Sequence, residues 1–141
     1  VDAAYGGFFM LVDDYKKKFK GIELSDSVVL DPHKGLFLPY GTGMLIVRDL
    51  KLLKQANSFQ ANYMQDSSGF DLEYSPTEVS PELSRHFRAL RMWLPLKLHG
   101  ANAFKAALEE KIVLAQYFYE KVQDLGYKVG PYPDLSVVSY W

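Results

Sequence analysis

The chain opens with a hydrophobic pattern that is typical of a strand, a helix and a second strand. Residues 1–4 have the pattern of a strand end, which the glycine pair at 6–7 interrupts, and apolar residues then recur at loose helical spacing over 8–19. Ser27 to Leu30 predict a short buried strand that ends before a proline. A strand, a helical connection and a strand within about 30 residues indicate a βαβ unit with two parallel strands.

These two strands are expected to bring a carboxylate and an amine to one edge of a sheet. The C-terminal ends of parallel strands share an edge, where open α/β sheets bind their ligands. Asp2 lies near the end of the first strand, and Lys34 follows the second. Lysine ordinarily prefers a solvated surface, so a lysine directly behind a buried strand is a candidate for chemistry. We therefore expect Asp2 and Lys34 to face each other across a pocket.

The middle of the chain predicts a third strand followed by irregular structure. Residues 43–49 have a strand pattern, and the loop before them is too short for a helical crossover, so this strand should be antiparallel. Residues 50–55 predict a helical turn. Residues 60–79 are polar and lack a sustained period. Such a long loop inside a compact domain is often a functional lid.

Two helices are predicted in the remainder of the chain. The first should be capped by Ser80, with Pro81 at its first position, and should kink at Pro95 before it ends at Gly100. The second should run over 101–125 with Gly126 at its C′ position. Its apolar stripe comprises Phe104, Leu108, Ala115, Phe118, Val122 and Leu125. A short strand near 127–129 and a final strand complete an α/β pattern.

Composition excludes several classes of protein. The 141 residues are 48% hydrophobic with a formal net charge of −1, so the chain can build a core and predicts neither a nucleic-acid nor an anionic-membrane partner. No apolar run reaches about 18 residues, so no membrane-spanning helix is expected. The absence of cysteine excludes disulfides and fits a cytoplasmic location. His33, His86 and His99 form no local metal-binding motif, and no metal site is predicted. Both ends lie in ordered patterns, which suggests a fragment.

Three stretches of the chain resemble the pyridoxal-phosphate-dependent group II amino acid decarboxylases, which include the aromatic amino acid and glutamate decarboxylases. They are "VDAAYGG" at 1–7, "DSVVLDPHKG" at 26–35 and "ELSRHFRALRMWLPLKLHG" at 82–100, and their order and spacing fit the family. The resemblance implies part of a fold-type I (aspartate aminotransferase-like) large domain over 1–100. Residues 101–141 would be the linking helix and the start of a small C-terminal α+β domain. It also implies a homodimer with active sites at the subunit interface.

The same resemblance assigns roles to individual residues. Lys34 matches the Schiff-base lysine, which acts as a nucleophile and would be expected to be buried with a depressed pKa. Asp2 matches the aspartate beside the pyridine nitrogen of pyridoxal 5′-phosphate, where a carboxylate favours the protonated ring. Ala4 matches the small residue against which the ring lies. His33 matches a histidine in the cofactor phosphate region, although a structural role for His33 is about equally expected.

The resemblance also predicts a reaction. Tyr63, in the irregular loop, matches a catalytic-loop tyrosine implicated in protonating the substrate carbon after carbon dioxide leaves. A tyrosine here favours decarboxylation of an L-amino acid to its amine over aldehyde formation. Alternatives that stay open are an aldehyde synthase, an aminotransferase-like reaction on the same cofactor, and an inactive fragment. Asp31 and Gly35 depart from the asparagine and tryptophan of many members, which leaves the choice of substrate open.

Overall fold

The computed structural model describes residues 1–57 and 75–141, and within these ranges the chain is a mixed α/β structure. Strand β1 spans Ser27–Leu30 and strand β2 spans Met44–Val47. Helix α1 spans Pro32–Gly35, α2 spans Leu50–Asn57, and α3 spans Arg88–Asp124. Tyr63 and most of the predicted loop lie outside the described residues.

The sheet has the strand directions that the sequence predicts. β1 and β2 pair antiparallel, with Ser27 opposite Val47 and Leu30 opposite Met44. The first residues of the chain lie on the other side of β1, where Asp2 forms a parallel bridge with Val29. The Ala3 amide donates to the Val29 carbonyl at 3.0 Å, as in a parallel ladder. The parallel and the antiparallel pairings are therefore both confirmed.

The connection between the first segment and β1 is helical but is built of 3₁₀ turns. They span Gly7–Leu11, Asp13–Phe19 and Ile22–Leu24. Phe8 and Phe9 of the first turn are buried, whereas no residue of the second turn is buried. The helical pattern predicted over 8–19 therefore forms two 3₁₀ turns, and only the first of them contributes buried residues.

The long helix starts later than predicted, and it is interrupted at the boundary that the sequence predicts between two helices. Residues 81–87 are not helical, so the start at Pro81 was wrong. A capping box forms instead at Ser75, whose amide donates a hydrogen bond to the Glu78 carboxylate at 3.1 Å, and it opens only a short 3₁₀ turn. Inside α3, the non-helical residue is Gly100 (φ 73°, ψ 162°). The predicted end of the first helix at Gly100 is therefore confirmed, at a residue that adopts positive φ without a Cβ penalty. Pro95 lies inside the helix without non-helical φ/ψ, so no break forms there.

The end of the chain agrees with the prediction in part. α3 ends at Asp124, and Gly126 has the positive φ of 86° expected at C′. Val129 and Tyr140 form a single antiparallel bridge, so the two predicted terminal strands reduce to one isolated pair.

The core lies between the second part of α3, the first 3₁₀ turn and the strand that leads to α1. Phe9, Leu36 and Leu108 are almost fully buried. The predicted stripe of α3 is confirmed at four buried positions, Phe104, Leu108, Ala115 and Val122. It is wrong at Phe118 and Leu125, which are 43% and 75% exposed. None of the described helices is both long enough and apolar enough to cross a membrane.

Candidate active site

Lys34 lies on a single helical turn at the end of β1. Pro32 starts this turn because its fixed φ suits the first helical position. The Lys34 and Gly35 amides both donate to the carbonyl of Asp31, at 2.9 and 3.1 Å. The Lys34 side chain is 45% exposed, and its Nζ lies 2.7 Å from Oδ2 of Asp31. The amine is therefore accessible from solvent and is held in an ion pair.

This ion pair corrects the expectation of a buried lysine with a depressed pKa. The hydrogen bond that Lys34 donates to Asp31 raises the pKa of Lys34 above its ordinary value, the charges of Asp31 and Asp2 add to that effect, and partial desolvation opposes it. The expectation failed because the Lys34 side chain is 45% exposed and its amine is paired with a carboxylate. The carboxylate favours the charged amine more than partial burial disfavours it. In the chain described here, Lys34 is a protonated ammonium at neutral pH.

Asp2 and Ala4 lie at the same edge of the sheet as Lys34. The Asp2 side chain accepts a hydrogen bond from the Ala4 amide at 3.0 Å. The Ala4 carbonyl in turn accepts from the Asp31 amide at 3.1 Å, so Ala4 bridges the two parallel segments. The structure thus brings together the carboxylate, the small residue and the amine that the sequence singled out, and Asp2 is exposed to solvent there.

His33 is fixed by the loop that leads to β2. Its Nδ1 lies 2.9 Å from the carbonyl oxygen of Thr42, and because a carbonyl only accepts, Nδ1 is the donor. The ring packs edge-on against Tyr40, with centroids 5.2 Å apart. Nε2 faces the carboxylate of Asp31 at 3.9 Å, and the side chain is only 14% exposed. This environment gives His33 a structural role and leaves Nε2 directed toward the site.

Helix α3 supports the Lys34 turn from outside. Lys111 donates to the backbone carbonyl of Lys34 at 3.4 Å. The same ammonium lies 4.7 Å from the ring centre of Phe37 and 5.8 Å from that of Tyr5. Phe37 has a φ of 58°, which is rare for a bulky side chain and indicates a strained turn after α1. The second part of α3 therefore contacts both segments that carry the site.

A separate apolar cavity of about 390 Å³ lies between the loop before β2 and the first part of α3. Its lining includes Thr42, Gly43, Met92 and Trp93 but not Lys34. The amine is thus on an open sheet edge and not inside this cavity. Among the residues described, no three acidic or histidine side chains are grouped to hold a metal ion.

Sequence reasoning missed the residue in closest contact with the Lys34 amine. Asp31 was singled out only as a departure from a common asparagine. The available signal was the spacing, because residues i and i+3 are neighbours on a helical turn and Pro32 starts such a turn. Tyr63, the fifth predicted site residue, lies outside the described residues.

Comparison with known proteins connects this geometry to a family. Residues 1–140 match the family described as "Pyridoxal-dependent decarboxylase conserved domain". The chain belongs to the pyridoxal-dependent decarboxylase family. The match covers the whole sheet edge and both parts of α3, so it includes every described residue of the candidate site.

Curated relatives and solved structures agree with this assignment. The chain is 34% identical over 143 residues to an aromatic-L-amino-acid decarboxylase from Bacillus atrophaeus, covering 99% of this chain and 29% of that protein. It is 28% identical over 144 residues to acidic amino acid decarboxylase GADL1 from Xenopus tropicalis, covering 100% and 28%. The structure superposes on apo mouse CSAD with a TM-score of 0.86 and 26% identity, covering 100% and 29%. The chain therefore spans less than a third of the length of these relatives.

Proposed function

We propose that the full-length polypeptide in which these residues occur is a pyridoxal-phosphate-dependent carboxy-lyase that converts an L-amino acid to its amine and carbon dioxide. The observation that carries this proposal is the placement of Asp2 and Lys34 at one sheet edge, inside a family match over residues 1–140. Two relatives named as amino acid decarboxylases, one aromatic and one acidic, support an amino acid as the substrate class.

The donor set at this edge fits the cofactor by its chemistry. Lys34 supplies a primary amine that is 45% exposed, as covalent attachment to an aldehyde requires. Asp2 supplies an exposed carboxylate, which would favour a protonated pyridine nitrogen. Ala4 lies on the same segment as Asp2, and its side chain is a single methyl group. When bound, pyridoxal phosphate supplies an electron sink for the charge left at the substrate carbon.

Four residues of this chain would have separate roles in the reaction. Lys34 holds the cofactor after its Nζ gives up a proton, and Asp2 stabilises positive charge on the ring. His33, fixed at Nδ1 by Thr42, would present Nε2 to the cofactor phosphate region. We further propose that Tyr63 returns a proton to the substrate carbon after carbon dioxide leaves, a role inferred from its position in the sequence alone.

We also propose a domain boundary and a dimer. The break of α3 at Gly100 supports a division into a cofactor-domain part over 1–100 and a linking helix with the start of a small domain over 101–141. Trp93, Leu94 and Leu98 on the first part of α3 are 56%, 44% and 69% exposed, which supports burial of this face by other parts of the assembly. Sedimentation of the full-length polypeptide tests the homodimer.

The reaction is tested by incubating the purified full-length polypeptide with pyridoxal phosphate and candidate amino acids. Carbon dioxide and ammonia are measured together, because decarboxylation releases the first without the second. Aromatic and acidic amino acids are the two arms of the assay, following the two relatives. Ammonia in proportion to carbon dioxide would contradict simple decarboxylation and indicate aldehyde formation. Neither product from any amino acid would contradict the proposed function.

A further inference from the structure

Asp31 occupies a capping position without acting as a cap. It is the residue before the first turn of α1, where an aspartate usually accepts a hydrogen bond from a backbone amide of the turn. No such side-chain bond forms here. The carboxylate instead lies 2.7 Å from the Lys34 amine, three residues along the chain. Helix capping therefore does not explain the orientation of this side chain.

The surroundings of Asp31 fix that orientation. The side chain is 16% exposed, much less than that of its partner Lys34. A Cβ added to Gly43 would lie 3.2 Å from Oδ1, so one carboxylate oxygen lies against the backbone at the start of β2. The backbone amide of Asp31 is held by the Ala4 carbonyl. Gly43 thus limits the space on one side of the carboxylate, and Ala4 fixes the backbone that carries it.

We propose that Asp31 is a positioning residue whose carboxylate holds the Lys34 amine, protonated and oriented, at the sheet edge until a carbonyl compound takes its place. This inference rests on the proposed function, in which Lys34 Nζ is the attachment point. A protonated amine has no lone pair, so Nζ must first pass one proton to solvent before it can attack a carbonyl carbon. Asp31 would therefore set how readily Lys34 becomes reactive at neutral pH.

Asp31 is the group that accepts a hydrogen bond from Nζ, and the other groups around Lys34 act on it less directly. Asp2 and Tyr40 act in the same direction as Asp31, through charge alone. His33 Nε2 faces Asp31 at 3.9 Å and would compete for the carboxylate if it were protonated. Lys111 donates to the backbone carbonyl of Lys34 at 3.4 Å and not to its side chain. The direct hydrogen bond that Lys34 donates to Asp31 is the largest of the effects that raise the pKa of Lys34.

Competitive acetylation with acetic anhydride tests the proposal on the full-length polypeptide without cofactor. Only the unprotonated amine reacts, so the extent of Lys34 acetylation, followed by peptide mass spectrometry between neutral pH and about pH 12, gives its titration midpoint. The exposed Lys17 serves as an internal reference for reagent. The wild-type midpoint at Lys34 should lie above 10.5, and Asp31→Asn should lower it. Acetylation at neutral pH should rise about tenfold for each unit of that shift.

Two further variants separate this role from a general structural one. Asp31→Glu retains the charge and should keep the raised midpoint. Asp124→Asn removes the partner of Lys121 in another i, i+3 pair, 3.3 Å apart, and should leave Lys34 unchanged. A wild-type midpoint at or below 10.5 would overturn the proposal whether or not any variant folds, as would a folded Asp31→Asn protein with the wild-type profile.

The outcome is independent of whether the proposed function is right. A raised midpoint at Lys34 together with no cofactor trapped there by borohydride would support the role of Asp31 and reject the attachment role of Lys34. Cofactor trapped on Lys34, together with an Asp31→Asn titration midpoint equal to that of the wild type, would support the attachment role of Lys34 and reject the role of Asp31.

Discussion

Replacing Gly7 with alanine tests how closely the two segments of the site are packed. Gly7 opens the first 3₁₀ turn and lies against both the first segment and β1. A Cβ added there would lie 2.1 Å from Cδ2 of Leu30 and 3.0 Å from Cβ of Ala3. Carbon atoms in contact are normally about 3.5–4.0 Å apart, so the new methyl group would force Leu30 to move.

Two effects of opposite sign set the size of the change. Overpacking of a well-packed core costs roughly 1–3 kcal/mol. Alanine also restricts the unfolded chain, which stabilises the folded state by about 0.4–1 kcal/mol where the backbone angle is acceptable. Gly7 does not have the positive φ that would add strain. Steric overlap should therefore dominate, and we expect Gly7→Ala to lower the free energy of unfolding by about 1–2 kcal/mol.

Urea unfolding of the full-length polypeptide measures this effect as a shift of the transition midpoint. A double-mutant cycle with Leu30→Ala isolates the contact. Leu30→Ala removes two of the three side-chain atoms nearest to the new methyl group, Cδ2 at 2.1 Å and Cγ at 3.5 Å, so most of the cost of Gly7→Ala should disappear in that background. Gly126→Ala is the control, because its φ of 86° gives strain while no atom lies within 4 Å of its Cβ. Its cost should not respond to Leu30→Ala.

The reasoning would be refuted by a Gly7→Ala protein that is as stable as the wild type. It would also be refuted if the cost of Gly7→Ala were the same with leucine or alanine at position 30. In either case the first segment and β1 could not be packed against the turn as the structure shows.

Three further predictions concern the site and the surface. Asp2→Asn should weaken cofactor retention and lower the decarboxylation rate by about 10²–10³-fold, as removal of one electrostatic partner does, and steady-state assays on the full-length polypeptide check this. Tyr63→Phe should bind cofactor normally but yield less amine, and an unchanged yield would remove Tyr63 from the mechanism. Hydrogen bonds and charge from Lys105 and Lys16 lower the pKa of Asp13 from 3.8 to about 2. Its stabilising contribution should therefore be complete above about pH 4 and be lost toward pH 2, so wild type and Asp13→Asn should converge in stability as the pH falls through that range, and a constant difference would contradict the ion pairs.

The sheet edge could be predicted from sequence because its determinants are local. A connection of about 20 residues with helical spacing joins the first segment to the apolar run at Ser27–Leu30, and a crossover of that length indicates parallel strands. The short loop before β2 likewise requires an antiparallel turn. Asp2 and Lys34 then meet as a consequence of topology, without any need to know the side-chain packing.

Other features depend on contacts that the sequence pattern does not display. The serine–proline pair at Ser80 and Pro81 starts no helix, because the Ser80 hydroxyl donates back to the carbonyl of Pro76 at 3.1 Å and accepts from Arg85 at 2.6 Å. The raised pKa of Lys34 depends on the orientation of Asp31, which is set by Gly43 and the Ala4 carbonyl. Such an effect becomes visible only when three separate segments are placed together.

The identity of the attachment residue is tested most directly by mapping the cofactor on the protein. The full-length polypeptide is incubated with pyridoxal phosphate, reduced with borohydride and digested, and the labelled peptide is identified by mass spectrometry. The account predicts one labelled position, Lys34, and no label in Lys34→Ala. A label on another lysine, or an undiminished label in Lys34→Ala, would contradict it.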